Sequence, residues 1–381
     1  MKICFVTTVS ITLRAFVLPT LEHLARNTDW ELAVICDEDP TFEAALPQGV
    51  RYIPVPMKRG ISLSGIGAML KMWKIFRQEK FDLVQYSTPN ASLYASMAAK
   101  LAGVPVRLYC QWGIVYVGFR GVKRKIFKTV EKFVCRNSTQ IEPDSFGNLR
   151  FSREEGLYGE EKSRVVWNGS ASGVDLTKFD ISHKDTWRQE IRSRYGVEED
   201  AFVYGFVGRI TRDKGIDELF AAYQKLCAEK ENTYLMLVGS KENEQLLDQA
   251  LLAWAQEHPR VIFCGQTNEV EKYMSAMDVY ILPSYREGFG SAVVEAEAMG
   301  VPVIVSDIPG PTDAMAPEQT GLVVRKADVE TLHQAMVRIC EDRELCRRLG
   351  QQAAGFAAER FDQKQLVRHI LEDRKALMWK R

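Results

Sequence analysis

Two glutamates eight positions apart, Glu287 and Glu295, bracket the turn Gly288-Phe289-Gly290 and the start of an apolar run at Ser291. Glycines at 288 and 290 let the backbone approach a ligand closely and take positive φ. A helix opening at Ser291 would aim the N–H groups of Ser291, Ala292 and Val293 at an anion, most simply a diphosphate. The carboxylates at either end could then grip hydroxyls, one set on a sugar and one on a ribose. A second segment, GRITRDKGIDEL from Gly208 onward, places Arg209 and Lys214 just past another glycine-ended apolar run. These cations can neutralise a pyrophosphate, the arginine fork being suited to two oxygens at once. Either segment alone would also suit an exposed strand–turn–helix corner; it is their combination that points to a phosphorylated ligand.

Parallel α/β architecture is what would position such groups, because ligands of open α/β sheets bind beyond the carboxyl ends of the strands. Short β-branched apolar runs alternate along the chain with longer segments of helical periodicity. In the first half the expected strands are Ile3–Val6, Glu31–Cys36, Arg51–Val55, Leu83–Tyr86, Val106–Tyr109, Thr139–Glu142 and Val165–Trp167. Helical spacing is expected over Phe16–Arg26 and Ile66–Gln78. A polar stretch, Asp180–Asp200, reads as a linker and lead-in helix. The second series then runs Phe202–Val207, Tyr234–Val238, Val261–Cys264, Val279–Leu282, Val301–Val305 and Gly321–Val324, with a helix from Ser291 to Met299. The expected architecture is two doubly wound, Rossmann-like domains facing a central cleft, residues 1–180 and 181–360. A last helical stretch, Phe361–Arg381, follows them.

GRITRDKGIDEL followed by LPSYREGFGSAVVEAEAMGVPVIVSD resembles the C-terminal domain of family 4 glycosyltransferases, which have the GT-B fold. Between the two lies VIFCGQTNEVEKYMSAMDVYILPS, similar in spacing to that family's base-binding segment. SASGVDLTKFD and the layout of the first half are similar to enzymes that build bacterial capsular and exopolysaccharide repeat units. The resemblance implies a retaining transferase that moves a sugar from a UDP-sugar to a saccharide, lipid-linked acceptor. It implies that Arg209 and Lys214 bind the leaving diphosphate, Glu287 the donor sugar and Glu295 the ribose. Gly265 and Gln266 would face the base, and Gly208, Gly288, Phe289, Gly290 and Ser291 would line the donor site. Such enzymes usually need no metal or other cofactor, the leaving phosphate itself accepting the acceptor's proton. The final helix would cross back onto the first, acceptor-binding domain.

Two positions depart from the family pattern. After the first strand, Thr7-Thr8-Val9-Ser10-Ile11-Thr12 stands where relatives carry glycines, leaving hydroxyls such as that of Ser10 as substrate contacts. After the fifth, Tyr109-Cys110-Gln111-Trp112-Gly113 places Trp112 where relatives often have histidine. A tryptophan can stack on a sugar but cannot move a proton. A 2-epimerase-like isomerase of similar double-Rossmann shape and a noncatalytic nucleotide-sugar-binding subunit are the rival readings.

The bulk properties narrow the partners. Net charge is zero, yet residues 1–178 hold 24 Lys and Arg against 17 Asp and Glu, and the remainder 26 against 33. Within the basic half, Phe119–Arg136 interleaves Arg120, Lys123, Arg124, Lys125, Lys128, Lys132 and Arg136 with apolar residues. Such a basic amphipathic helix suits either an anionic membrane surface or a packed helix with solvated cations. No nucleic acid is expected as a partner. Eight scattered cysteines without a C-x-x-C pair suggest reduced thiols rather than zinc ligands. Asp37-Glu38-Asp39 reads as a solvated acidic loop rather than a metal site. The first residues read as a strand, not a signal peptide, which favours the cytoplasm with peripheral placement on the inner face of the membrane.

Overall fold

The structure is a computed structural model that describes residues 1–57 and 64–379. It divides into two compact units, one of Met1–Ser172 with Gln363–Arg381, the other of Gly173–Asp362. The second begins at Gly173 rather than near residue 181 because the preceding strap is tied into it. Val174 N donates to Phe361 O at 2.8 Å, and Val174 and Phe179 are buried in that unit's core.

The first unit carries β1 (Lys2–Val6), β2 (Glu31–Cys36), β3 (Val50–Pro54), β4 (Leu83–Tyr86), β5 (Val106–Gln111) and β6 (Gln140–Pro143). They pair in parallel in the order β3-β2-β1-β4-β5-β6. A parallel sheet is covered on both faces, and the period-two alternation of side chains divides its core in two. Cys4, Val6, Ala33 and Ile35 enter one apolar cluster, whereas Ile3, Phe5, Leu32 and Val34 enter the other.

Two expectations in this unit give way. Val165–Trp167 is not a strand: only Ser163 bridges to β6, and Trp167 takes φ +51 with its ring stacked on His369 at 5.2 Å. The helix expected over Phe16–Arg26 starts two residues later, as Leu18–Asn27, after a separate helix Ser10–Phe16. Pro19 has no N–H to donate and its ring crowds the carbonyl one turn back, so the chain restarts there.

The second unit repeats the order. Its strands are β7 (Phe202–Val207), β8 (Thr233–Val238), β9 (Val261–Gly265), β10 (Val279–Leu282), β11 (Val303–Ser306) and β12 (Gly321–Val324). They lie as β12-β11-β10-β7-β8-β9, again all parallel. β11 starts two residues later than expected. The lead-in helix is Lys184–Arg194, and the helix after the Glu287 turn is Ser291–Ala298.

The last helix, Gln363–Trp379, packs on the first unit through Leu371, Leu377 and Met378; Lys380 and Arg381 of the expected span lie outside the described residues. Its Arg374 is 1% exposed and lies at 2.6 Å from Glu142 of β6, 2.7 Å from Asp373 and 3.0 Å from Gln85 of β4. Removing one partner of such a buried network leaves charges stranded. Arg374→Leu should therefore lower stability by about 3–5 kcal/mol, read as a drop in the urea midpoint. The double variant Arg374→Leu/Glu142→Leu should recover part of that loss.

Candidate functional site

In the second sheet the chain runs from β7 outward to β8 and β9, then returns to place β10 on the other side of β7. The loops leaving β7 and β10 thus meet at the carboxyl edge of the switch point, where sheets of this kind place their ligand crevice. Those two loops are Gly208–Gly215 and Pro283–Gly290, and they carry most of the residues singled out above.

The loops are fastened to each other. Tyr285 N donates to Asp213 O at 2.9 Å, the Tyr285 hydroxyl to Glu218 at 2.5 Å, and Arg286 to Asp213 at 3.2 Å. Gly215 takes φ +73, and a Cβ there would run into the Pro283 carbonyl, so only glycine permits this approach. Across the join, Lys214 Nζ lies 2.5 Å from Glu287 Oε1, which also accepts the Ser284 hydroxyl at 2.7 Å. Both members of the ion pair are largely buried. Arg209 is half exposed and leans on Glu242 at 3.2 Å and Asp213 at 3.9 Å. Burial pushes the Asp213 carboxyl up, but the Thr211 hydroxyl and the cations Arg286, Arg209 and Lys214 outweigh this and hold it below the usual range.

Beside this pair the carboxyl ends of β7, β8 and β9 form a ledge without side chains. Gly208, Gly239 and Gly265 take φ +149, +145 and +75, Gly208 N donates to Val238 O at 2.9 Å, and Gly239 N to Gly265 O at 2.8 Å. A Cβ on Gly239 would fall on the Gly208 carbonyl. Gly265 and Gln266 lie exposed at the outer end of the ledge, where a flat ring can rest against backbone. Gly239 escaped the sequence reading, although Val238-Gly239-Ser240 repeats the glycine-ended strand of Val207-Gly208.

On the far side of the crevice, Gly290 caps helix Ser291–Ala298 in the left-handed conformation, φ +88, with no side-chain cap. Val293 N–H is already donated to Gly290 O at 2.8 Å, so the anion-facing donors of this helix reduce to Ser291 and Ala292. Gly288 lies against the loop after β11: a Cβ on Gly310 would meet its carbonyl oxygen. Phe289 corrects a second expectation. Its ring is 3% exposed and packs edge-on against Phe361 at 5.2 Å, so the side chain anchors the turn in the core instead of lining the site.

Glu295 sits one turn into that helix, half-buried. Desolvation raises its carboxyl to about 7, with Lys178 pulling the other way and Glu271 adding to the rise. Burial raises the phenol of Tyr280, with Glu287 and Glu295 adding to the rise, and its hydroxyl donates to Val207 O at 3.3 Å across the β7–β10 join. Tyr280 was missed as well; a polar-tipped aromatic in an otherwise aliphatic strand, VYIL, was the available signal.

Ser10 and Trp112 belong to the first unit. The Ser10 hydroxyl is spent on Asp39 at 2.5 Å, and Trp112 packs on Phe16 with ring centroids 5.4 Å apart. Gln111 beside it is fully buried, donating to Glu131 at 2.6 Å and accepting from Tyr158 at 2.8 Å. At this unit's own switch point, between β1 and β4, the Thr8 and Thr88 hydroxyls meet at 2.8 Å. Thr88 holds φ +69 there, a strained conformation for a β-branched residue. Asp39 also accepts from Thr41, and Asp37 from Met57 N at 3.2 Å. Among the described residues no group of three His, Cys, Asp or Glu side chains is placed to hold a metal ion.

Residues 188–356 match the profile of "Glycosyl transferases group 1" and residues 2–145 that of "Glycosyl transferase 4-like". The chain is 30% identical to the capsular polysaccharide biosynthesis glycosyltransferase CapM of Staphylococcus aureus, over 78% of this chain and 77% of that protein. It is 27% identical to an Escherichia coli UDP-Gal:alpha-D-GlcNAc-diphosphoundecaprenol alpha-1,3-galactosyltransferase, over 85% of this chain and 83% of the relative. Among solved structures, HepE of Anabaena in complex with UDP superposes with a TM-score of 0.78 at 19% identity, covering 99% of this chain and all of that one. With the Glu287–Glu295 spacing, the Arg209–Lys214 loop and the doubled sheet order all in place, the chain belongs to the family 4 glycosyltransferases of GT-B fold.

Proposed function

We propose that this protein transfers a sugar from a UDP-sugar to a lipid-linked saccharide with retention of anomeric configuration, without a metal, at the β7–β10 switch point. The observation that carries the reading is the Lys214–Glu287 pair, set between a bare glycine ledge and the N-terminus of helix Ser291–Ala298. The ledge suits base and ribose, and Glu295 reaches the ribose hydroxyls. Arg209, Lys214 and the N–H groups of Ser291 and Ala292 receive the diphosphate. When the bond from the anomeric carbon to the diphosphate breaks, its electron pair leaves with the phosphate oxygen, and these groups stabilise the charge that develops. The acceptor hydroxyl bonds to the same face of that carbon and gives its proton to the departing phosphate. Glu287 holds the sugar and keeps Lys214 aimed at the leaving group. The lipid-linked acceptor and the UDP donor are argued from the relatives named above, two of which carry those molecules in their names or complexes.

Peripheral membrane contact is part of the same proposal. No helix among the described residues is long and apolar enough to cross a membrane. Helix Gly121–Asn137, however, leaves Val122, Ile126 and Phe133 exposed at 73%, 53% and 40%. At 100° per residue these three fall on one stripe with Thr129, flanked by Lys125 and Arg136. Arg124 and Lys128 are not available to a membrane: they pair with Glu155 at 3.2 and 2.6 Å. An apolar stripe bordered by Lys125 and Arg136, which have no acidic partner among the described residues, suits an anionic surface better than solvent.

Glu287→Ala and Lys214→Ala should each lower kcat by roughly a hundred- to thousandfold while the protein stays folded, as loss of about 3–4 kcal/mol of transition-state stabilisation would do. In the same assay a chelator should leave the wild-type rate intact, and proton NMR should find the donor's anomeric configuration in the product. Strict dependence on Mg²⁺ or Mn²⁺, or an inverted product, would refute the respective part of the reading.

Ribose hydroxyls donate best to an ionised carboxylate, so UDP-glucose should bind tighter as pH rises through about 7, the value to which Glu295 is raised. Below it the protonated acid loses that acceptor and affinity should fall. Calorimetry should show this slope in the wild type and a flat profile in Glu295→Gln; the opposite slope would mean that Glu295 binds as the neutral acid.

Co-sedimentation with phosphatidylglycerol vesicles should exceed that with neutral vesicles and weaken with salt, each surface cation contributing about 1 kcal/mol. Ile126→Glu with Lys125→Glu should abolish it, and equal negligible binding to both vesicle types would end the membrane proposal.

A further inference from the structure

At the amino ends of β10 and β11, the sheet edge opposite Glu287, lies a cavity of about 470 Å³. Four cations line it, Lys184, Arg188, Arg343 and Arg347, against two carboxylates, Asp185 and Asp278. Asp278 is already saturated: it accepts from Arg188 at 2.6 Å, from Arg192 at 2.7 Å and from Val203 N at 2.7 Å. Asp185 is exposed at the rim. Arg188 is matched by Asp278, whereas Lys184, Arg343 and Arg347 have no carboxylate partner among the described residues.

Lys184 records the cost. Its ammonium donates to Gly300 O at 2.7 Å, yet burial, with the neighbouring Arg188 adding to it, pulls its pKa down to about 8. Arg343 and Arg347 are exposed; Arg343 lies over the Phe202 ring at 4.5 Å, and Arg347 is unpaired among the described residues. Glycines keep part of the wall clear of side chains. Gly300 takes φ +62, and a Cβ on Gly350 would lie 2.6 Å from the Gly300 carbonyl.

We infer that this cavity is a second anion site, which takes a small phosphorylated molecule on Lys184, Arg343 and Arg347, apart from the nucleotide-sugar site. The volume is within the range of small-ligand pockets, and guanidinium groups bind phosphoryl oxygens in pairs. The site is also physically joined to the donor crevice. Helix Ser291–Ala298 begins at the proposed diphosphate position and ends two positions before Gly300, which lines the cavity. An anion that recruits Lys184 would compete for its bond to the Gly300 carbonyl at that end.

The experiment uses the full chain with Arg209→Ala and Lys214→Ala, so that the donor-site cations are absent, and titrates inorganic pyrophosphate by calorimetry. Saturable binding to one site is expected. Adding Arg343→Glu and Arg347→Glu, both at the exposed rim, should weaken it by about tenfold to a hundredfold, as loss of charge-assisted hydrogen bonds would. Lys184→Met should weaken it too, with circular dichroism and thermal unfolding checking that this half-buried change leaves the unit folded. If removing Arg209 and Lys214 alone abolishes pyrophosphate binding, the donor crevice is the only anion site and the inference fails. It fails equally if reversing Arg343 and Arg347 leaves the affinity unchanged.

Discussion

Parallel strand pairing is the constraint on which the rest of this protein depends. Because every strand of a unit points the same way, all carboxyl ends share one edge, and every connection must return over a face of the sheet. Starting each sheet in its middle, at β1 or β7, and winding outward in both directions makes two loops part company at that edge. The crevice is therefore a product of topology, present before any side chain is chosen. What the chain adds is the chemistry of the loops that flank it.

The two units share the order of six strands and differ in how the divide is furnished. In the second, Lys214 from one loop meets Glu287 from the other, and glycines clear the neighbouring strand ends. In the first, the corresponding junction is uncharged: Thr8 and Thr88 meet through their hydroxyls, and Ser10 is turned onto Asp39. Thr88 at that junction holds a positive φ, which a β-branched residue takes only where its surroundings keep it there.

Charge is handled differently again at depth. Arg374 is buried among Glu142, Asp373 and Gln85, so the last helix is attached to its sheet by polar bonds as well as by Leu371 and Leu377. Such a network is sensitive to register, because a helix shifted by one residue would strand the guanidinium without partners. Of the cations of helix Gly121–Asn137, Arg124 and Lys128 are consumed by Glu155, whereas Lys125 and Arg136 border an apolar stripe. Composition alone counted them as one group.

Much of the molecule was legible without coordinates. Alternating apolar runs and helical segments identified nearly every strand, since a buried parallel strand must be apolar on both faces. Glu287 and Glu295 stood out because they bracket the glycine turn 288–290, and Arg209 and Lys214 because they follow a glycine-ended strand. Other features were decided only by the folded chain. That Phe289 points inward, that Val293 N–H is already taken, and that Trp112 rests on Phe16 are matters of which way a turn faces. The importance of Gly239 and Thr88 follows from partners about 30 and 80 positions away in the chain, Gly208 and Thr8. Val165–Trp167 has a strand's composition, yet the chain touches edge strand β6 only through a single bridge at Ser163 before turning away. Local sequence specifies what a segment prefers, through periodicity and backbone freedom. Which side chain meets which across a sheet is settled by long-range packing, and that is where the site acquires its geometry.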